Sequence, residues 1–472
     1  MTLPFLLAGT PTPSAERPLT VVHTYTQAPL AEVHLAGPDQ LEQALAGLAR
    51  GQAATAALPR YARIEVLRKV SASLVAHADE LTQLIIDEAG KPRRYAEAEV
   101  RRAAQTFHLA ADYLASERQE LLPLDLGPGL EGKLGLVGRV PIGPVLGIAP
   151  FNFPLNLVAH KLAPSLMAGC AFLLKPASAT PLSALRLGEL ILEAGYPPEA
   201  VNLLPFSSRH GNAVVADPRT ALFSFTGSPE VGWPLKALAG RKKVVLELGG
   251  DAAALVAEDA DLDAAAASCA AGAFAYAGQI CISIQRIVVV QAVYEAFCQR
   301  FLAAVDALPV GDPNLPATVC GPLIDRANYD RVATWLSEAE TAGTHILRRG
   351  ARVEAHNLIG PTVLAEMPRS TTIAQNEAFA PLVELIRVPD FGAGLAAVNA
   401  SRYGLQTGVF TQRLDYLKSA WATLEVGAVL ANEAPTLRID AMPYGGVKDS
   451  GFGREGTRYG YEDYTEPRLL LL

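Results

Sequence analysis

Cysteine is scarce in this chain of 472 residues, and the five cysteines are too few and too scattered to form a framework. Cys170, Cys269, Cys281, Cys298 and Cys320 are odd in number, and none forms a CxxC pair. A disulfide scaffold and a zinc cage are therefore not expected, and we predict a site without metal. Unpaired cysteines are typical of a reducing compartment, so we expect a cytoplasmic protein.

Long hydrophobic runs and basic clusters are also missing. No apolar run reaches the roughly 18 residues that a membrane span needs. The first ten residues have an apolar patch without a basic start, so we expect no signal peptide. The net charge of -8, without basic clusters, disfavours nucleic acid and anionic membranes as partners.

The composition that is present indicates a well-buried globular protein of more than one domain. Half of the residues are hydrophobic and 19% are charged, which excludes a disordered chain. A chain of this length exceeds what one hydrophobic core usually supports, so we expect two or three domains.

Apolar strands and helices alternate along most of the sequence. Residues 40–114 have helical periodicity, and strands and helices then take turns over 145–246 and again over 251–431. Short connections between them predict an α/β protein with a doubly wound parallel sheet. The apolar end of the chain, 468–472, predicts a terminal strand that needs a partner edge. Such sheets bind ligands at the carboxyl ends of their strands.

Cys281 and Glu247 are the strongest candidates for chemistry. A thiolate can attack a carbonyl carbon, and a carboxylate can activate the water that later releases the acyl group. Cys281 lies among small residues in GQICIS, which suits close approach of a substrate, and Glu247 opens ELGG. The alternative is that Cys281 is an ordinary buried thiol.

Two strand ends are candidates for contacts with a nucleotide. Lys175 ends a strand in KPAS and can reach ribose hydroxyls or a phosphate, although it also fits an ordinary loop lysine. In Phe225-Thr226-Gly227-Ser228 a strand stops and a helix starts, so the exposed amides can meet a pyrophosphate. Ser228 equally fits a simple helix cap.

Two further segments place polar groups beside aromatic residues. Asn152 lies between aromatics and prolines in PFNFP, where its amide can donate to a developing oxyanion or bond its own turn. In NEAFAP, Glu377 can hold ribose hydroxyls and Phe379 can pack on a ring, or both can belong to a surface loop. GFGREG at 451–456 matches GxGxxG, but no βαβ unit fits there, so we interpret it as a loop.

In this order, the segments resemble the aldehyde dehydrogenase superfamily. The matching motifs are PFNFP at 150–154, KPAS at 175–178, FTGS at 225–228, ELGG at 247–250, GQIC at 278–281, NEAFAP at 376–381 and PYGGVKDSGFGRE at 443–455. The resemblance implies a nucleotide-binding domain (1–119 and 139–249), an α/β catalytic domain (250–430) and a small β bridging element (120–138 and 455–472). It also implies a homodimer or homotetramer.

The resemblance implies a role for each motif residue. Cys281 is the expected nucleophile, and Asn152 with the Cys281 amide forms the oxyanion hole. Hydride passes to a nicotinamide, and Glu247 activates water against the thioester. Lys175 and Glu377 hold ribose, and Glu455 matches a position with a proposed proton-relay role. The whole expected cofactor site is Ile148, Pro150, Phe151, Lys175, Ser178, Gly211, Phe225, Thr226, Gly227, Ser228, Leu248, Gly249, Glu377 and Phe379.

Departures from the family pattern refine the cofactor and the substrate. Ser178 stands where many NAD-preferring members carry a glutamate, so NADP is expected to be accepted as well as NAD. Ala380 replaces a common glycine beside Phe379. The motifs resemble branches that act on lactaldehyde, succinate semialdehyde or glyceraldehyde 3-phosphate, so we expect a small polar or anionic aldehyde. Arg286, Arg101 and Arg102 are candidates for its positive partner, with surface placement expected for the last two.

Two other functions share some of these residues. A nitrilase-type thiol hydrolase also uses cysteine, glutamate and lysine, which Cys281, Glu247 and Lys175 would provide. The alternating strands and the FTGS helix start argue against it. A non-catalytic protein that retains the fold is the other alternative, and the intact Cys281, Glu247 and Asn152 argue against that one.

Overall fold

The computed structural model describes residues 2–472 and contains two large mixed sheets. The first has eight strands, and its five central strands are parallel. In spatial order its strands are Thr10–Thr12, Phe5–Leu7, Val201–Leu203, Phe172–Lys175, Val145–Ile148, Leu222–Thr226, Lys243–Glu247 and Gly451–Phe452. We call this the eight-stranded sheet. The order of its parallel strands reverses between Val145–Ile148 and Leu222–Thr226, which is where doubly wound sheets bind ligands.

The second sheet has seven strands, all parallel to their neighbours except the first. Its strands in spatial order are His345–Arg348, Thr362–Ala365, Leu382–Val388, Arg286–Val290, Ala253–Val256, Gln406–Phe410 and Ala428–Ala431. Its central strands read as almost continuous Val, Ile, Leu and Ala because helices cover both faces, as parallel sheets require.

A separate antiparallel sheet contains the C-terminus. Thr465–Leu471 pairs with Leu134–Pro141, which pairs in turn with Glu120–Pro123. The open edge of Thr465–Leu471 exposes about half of the surface of Leu469, Leu470 and Leu471. Three two-stranded pairs complete the strands, namely Leu19–Val22 with Pro29–Val33, Arg352–Val353 with Leu358–Ile359, and Tyr403–Gly404 with Val447–Lys448.

The helices cover the sheets and bury their apolar sides. Helix Asn156–Ala168 is buried along its entire length, because it lies between the eight-stranded sheet and the helical layer formed by the first part of the chain. The α-helices are Pro38–Ala56, Arg60–Ala76, Ala78–Ala89, Arg93–Ser116, Asn156–Ala168, Leu182–Glu193, Gly211–Ala216, Pro229–Leu238, Leu262–Phe274, Tyr294–Asp306, Arg326–Thr341, Thr372–Gln375, Phe391–Asn399, Leu414–Thr423 and Thr457–Asp463. No helix within residues 2–472 is long and apolar enough to cross a membrane.

The α/β class with parallel sheets is confirmed, and the differences lie at the ends of the chain. Phe5–Leu7 joins the eight-stranded sheet through Leu203, although its sequence shows only a short apolar patch. Gly451–Phe452 was expected in a loop, but it is a short strand that pairs with Leu246 and Glu247. The strand at the C-terminus begins at Thr465, three residues before the apolar run. The domain boundaries stay a prediction.

Candidate active site

A cavity of about 720 Å³ opens at the carboxyl ends of the parallel strands of the eight-stranded sheet. Cys281, Asn152 and Glu247 all line it, although they are far apart in the sequence. Most of the residues expected to hold the cofactor also line it, namely Ile148, Pro150, Phe151, Phe225, Thr226, Gly227, Ser228, Leu248, Gly249, Glu377 and Phe379. The fold therefore brings the candidate nucleophile, base and amide to one space.

A run of left-handed backbone brings Cys281 to this cavity. Helix Leu262–Phe274 ends, and Tyr276, Ala277 and Gly278 follow with φ of 51°, 54° and 68°. A Cβ at position 278 would lie 2.2 Å from the carbonyl oxygen of Ala380, so only glycine fits this close approach. Burial raises the pKa of Cys281 to about 12, although a hydrogen bond with Tyr444 acts in the opposite direction.

Asn152 connects the two halves of the site. Its side-chain nitrogen donates to the carbonyl oxygen of Gln279 at 3.0 Å, two residues before the nucleophile. Asn152 thus does not bond its own turn, which was the alternative interpretation. An amide has two N–H donors, so one remains for an oxyanion in the cavity. Gln279 is itself fixed, because its amide contacts Pro322 and Ile324.

Glu247 ends its strand with a buried carboxyl group. Neither of its oxygens has a hydrogen-bond partner among the described residues, which leaves both free to accept a proton from water. Burial first, and then the nearby Glu455, raise its pKa well above the usual range. The exposed fraction of Glu247 is only 3%, and both carboxyl oxygens are buried although the residue lines the cavity.

A buried charged cluster lies behind Glu247, and sequence reasoning missed most of it. Lys161 donates to Ser224 and Thr226 at 3.1 and 2.8 Å and lies 3.4 Å from Glu455. Arg438 binds the other oxygen of Glu455 at 2.9 Å. These two cations lower the pKa of Glu455 to about 2, so it stays ionised. Lys161 falls within PLNLVAHK beside a recognised motif, which was the available signal.

The turn after Leu222–Thr226 has the geometry of a nucleotide site. A Cβ on Gly227 would lie 2.5 Å from the ring of Phe225, so this turn must stay free of side chain. Ser228 takes the N-cap position of helix Pro229–Leu238, but its side chain makes no capping bond. The alternative interpretation of Ser228 as the N-cap residue holds for its position, but not for a capping bond by its side chain. The helix start lies beside the cavity, which Ser228, Pro229 and Glu230 line, and the positive end of its dipole suits an anion there.

The NEAFAP segment is fixed by Gln285 of the nucleophile loop. The amide nitrogen of Gln285 donates to the carbonyl oxygens of Ile373 and Asn376 at 2.9 and 2.8 Å, and its oxygen accepts the N–H of Ala378 at 2.7 Å. Glu377 accepts the N–H of Gly250 at 3.1 Å, and burial raises its pKa to about 8. Phe379 has a φ of 47° and meets Phe151 edge to face.

Three predicted cofactor residues do not line the cavity. Lys175 ends its strand half-buried, donates to the carbonyl oxygen of Pro176 at 3.3 Å and lies 5.5 Å from the Phe206 ring. Ser178 is exposed, one residue beyond Ala177, which does line the cavity. Gly211 begins helix Gly211–Ala216 and is half-buried. None of these three residues contributes to the wall of the cavity.

The three candidate arginines differ in where the fold places them. Arg286 is buried against Asp251 at 3.0 Å and donates to backbone carbonyl groups of helix Phe391–Asn399, so its charge is already used. Arg101 is exposed as expected, whereas Arg102 is not a free surface residue, because it forms two hydrogen bonds with Asp440. Arg438, which the sequence interpretation did not consider, lies 3.7 Å from the centre of the Tyr444 ring.

A buried ion pair supports the turn that carries Asn152. Lys91 pairs with Glu99, and both side chains are fully buried. Glu99 accepts the N–H groups of Leu155 and Asn156 at 2.9 and 3.1 Å. The Lys91 ammonium lies 3.4 Å from the centre of the Phe153 ring and 4.7 Å from that of Tyr276. One lysine thus contacts both segments that deliver catalytic candidates.

Known proteins resemble this chain along almost all of its length. The model of the aldehyde dehydrogenase family matches residues 11–470. A 3-sulfolactaldehyde dehydrogenase of Priestia aryabhattai is 38% identical over 455 residues, which cover 96% of this chain and 94% of the relative. The crystal structure of aldehyde dehydrogenase 21 from Physcomitrella patens with the reaction product succinate has a TM-score of 0.96 and 38% identity, over 100% and 98% of the two chains.

A third similar protein carries a nucleotide. The NADP-dependent glyceraldehyde-3-phosphate dehydrogenase from Bacillus halodurans, crystallised with NADP, has a TM-score of 0.96 at 30% identity. The match covers 100% of this chain and 99% of that one.

We expect Lys91→Met to destabilise the protein by about 3–5 kcal/mol, because it leaves the buried Glu99 carboxylate without its cation. Urea titration measures the change in the free energy of unfolding. The matched control is Lys69→Met, which breaks an exposed pair with Glu65 and should cost less than about 1 kcal/mol. Equal losses for the two variants would contradict a special role for the buried pair.

Proposed function

Because this chain belongs to the aldehyde dehydrogenase family, we propose that it oxidises a small polar or anionic aldehyde to the carboxylic acid with NADP or NAD. The observation that carries the proposal is the shared cavity of Cys281, Asn152 and Glu247. An aldehyde oxidation through a thioester needs a nucleophile, an oxyanion donor and a base for water around one carbon atom.

In the proposed first step, the Cys281 thiol loses its proton to water, and the sulfur attacks the aldehyde carbon. The free N–H of Asn152 and the backbone N–H of Cys281 donate to the oxygen as it becomes negative. The bond between Asn152 and Gln279 keeps the amide close to the nucleophile before the substrate arrives. The nicotinamide of NAD or NADP, when bound, supplies the hydride acceptor that makes the oxidation to the thioester possible.

In the proposed release step, Glu247 takes a proton from the water that attacks the thioester. Its oxygens have no hydrogen-bond partner among the described residues, so both keep the capacity to accept from water. Burial raises its pKa, which makes the ionised form a stronger base than an exposed carboxylate. Acyl release as a free acid follows.

The residues that face the cavity fit a dinucleotide. The side-chain-free turn at Gly227 and the uncapped start of helix Pro229–Leu238 suit a pyrophosphate. Glu377 has one oxygen beyond its bond to Gly250, which suits ribose hydroxyls. We propose that Lys175 completes the ribose site. Burial lowers the pKa of Lys175, and its ammonium group has no acidic partner among the described residues.

An anionic substrate is supported by three of the similar proteins, and a polar uncharged one by relatives named lactaldehyde dehydrogenase. The similar proteins act on 3-sulfolactaldehyde or glyceraldehyde 3-phosphate, or bind the product succinate, and all of these compounds are anionic. Arg438 is buried, and its Nε has no partner among the described residues. Its guanidinium already pairs with Glu455 and does not line the cavity, so we base the preference for anionic aldehydes on the similar proteins.

The two alternative functions are less consistent with these findings. A nitrilase-type hydrolase is not compatible with membership of the aldehyde dehydrogenase family. A non-catalytic protein would have no need to keep Cys281, Asn152 and Glu247 around one cavity.

We further propose the three-part domain division and assembly into a homodimer or homotetramer. The exposed leucines on the open edge of Thr465–Leu471 support assembly, because an unpaired apolar strand edge requires cover. A cytoplasmic location stays a prediction, and the five unpaired cysteines are its support.

Cys281→Ala should abolish the absorbance increase of reduced nicotinamide with succinate semialdehyde and NADP, because no acyl-enzyme can form. NADP binding, measured by calorimetry, should survive. Glu247→Gln should instead give a burst of reduced nicotinamide followed by slow turnover, because the thioester forms but is not hydrolysed. Wild-type turnover of Cys281→Ala would refute the proposed nucleophile.

Ser178→Glu should raise the Kd for NADP at least tenfold more than the Kd for NAD, because a carboxylate repels the additional phosphate. Fluorescence titration with each nucleotide measures both constants. The matched control is Ala179→Glu, which adds the same charge to the next exposed residue. The same ratio in both variants would indicate a general charge effect and not a contact at position 178.

Leu470→Asp should reduce the assembly to smaller units, because it places a charge on the exposed apolar edge. Light scattering after size-exclusion chromatography measures the mass. Leu414→Asp changes a leucine of similar exposure in helix Leu414–Thr423 and should leave the mass unchanged. An unaltered mass for Leu470→Asp would argue against assembly through this strand.

A further inference from the structure

The nucleophile has a partner that neither the sequence interpretation nor the proposed mechanism uses. The hydroxyl oxygen of Tyr444 lies 2.9 Å from the Cys281 sulfur, close enough for a hydrogen bond. The two residues are 163 positions apart, so the contact depends on the tertiary fold. Tyr444 belongs to the PYGGVKDSG segment and is 2% exposed.

The position of Tyr444 is fixed by its backbone. Its N–H donates to the carbonyl oxygen of Glu455 at 2.9 Å, and the N–H of Glu455 donates back at 2.7 Å. The ring packs with Ile282 and Leu405 in a small apolar cluster that also includes Cys281. A hydroxyl held on a rigid backbone keeps its direction at no additional entropic cost.

The charge around the ring favours donation by the hydroxyl group. The Arg438 guanidinium lies 3.7 Å from the centre of the Tyr444 ring, and a cation on the ring face withdraws electron density. Burial raises the pKa of Tyr444 well above its usual value, so the hydroxyl keeps its proton. The hydroxyl group can then donate when the sulfur becomes a thiolate. The charged or titratable groups that face this pair are Glu247, Glu377 and Arg438.

We propose that Tyr444 is a catalytic residue that donates a hydrogen bond to the Cys281 thiolate and holds the sulfur in place for attack. The inference rests on the proposed role of Cys281 as nucleophile. The thiol is surrounded by apolar side chains and two acidic residues, which oppose ionisation, so the Tyr444 hydroxyl is its direct source of stabilisation. No covalent bond of Tyr444 changes during the reaction.

The test is the pH dependence of alkylation of Cys281 by iodoacetamide, followed by mass spectrometry of the peptide that contains it. The thiol proton passes to water, a sulfur–carbon bond forms, and iodide leaves. Tyr444→Phe retains the ring and removes only the hydroxyl. We expect its profile to shift to higher pH and its alkylation at pH 8 to slow about tenfold, with kcat reduced and nucleotide binding unchanged.

A second variant changes the hydrogen bond in the opposite direction. Incorporation of 3-fluorotyrosine at position 444 makes the phenol a stronger donor, so the profile should shift to lower pH. A purely structural role of Tyr444 would not produce opposite shifts. The matched control is Tyr461→Phe, which removes a buried tyrosine hydroxyl elsewhere in the C-terminal segment and should leave the profile unchanged.

The outcomes separate this inference from the proposed function. Alkylation needs neither aldehyde nor nucleotide, so it decides the role of Tyr444 even if no aldehyde is oxidised. Opposite shifts for the two substitutions at position 444 support the inference. Overlapping alkylation profiles for wild type and Tyr444→Phe overturn it, and they leave the dehydrogenase proposal intact.

Discussion

The site depends on one hydrogen bond between segments from different sheets, that of the Asn152 amide with the carbonyl oxygen of Gln279. Asn152 follows a strand of the eight-stranded sheet, and Gln279 precedes a strand of the seven-stranded sheet. This bond sets how far the proposed oxyanion donor, Asn152, lies from the proposed nucleophile, Cys281. The ammonium group of the buried Lys91 contacts the rings of Phe153 and Tyr276, one from each of these two segments. The reacting groups are therefore positioned by contacts between the two halves.

Around this junction, burial makes the ionisation of Cys281 and Glu247 unfavourable. Burial raises the pKa of both Cys281 and Glu247, so the resting site favours a neutral thiol and a neutral carboxyl group. Three charges lie just behind them, because Lys161 and Arg438 share Glu455. A buried carboxyl group without a hydrogen-bond partner beside such a charge network is typical of a functional site.

Much of the architecture could be predicted from local patterns, and the remainder required tertiary contacts. The alternating apolar strands near Val145 and Leu222 indicated the parallel sheet, because fully buried strands leave a clear signal. Phe5–Leu7 and Gly451–Phe452 were missed, because such short strands are defined by the neighbours they pair with. Motif order indicated Cys281, Glu247 and Asn152, but the contact of Tyr444 with Cys281 depends on distance in space, which one sequence does not encode locally.

The eight-stranded sheet includes residues from both ends of the chain, since Phe5–Leu7 and Gly451–Phe452 lie near its opposite edges. During synthesis, the neighbour of Glu247 on that edge emerges from the ribosome more than two hundred residues after Glu247 itself. Until then the strand edge is uncovered and the nucleophile has no phenol beside it. The sheet that carries Glu247 can therefore be completed only when nearly the whole chain has been made.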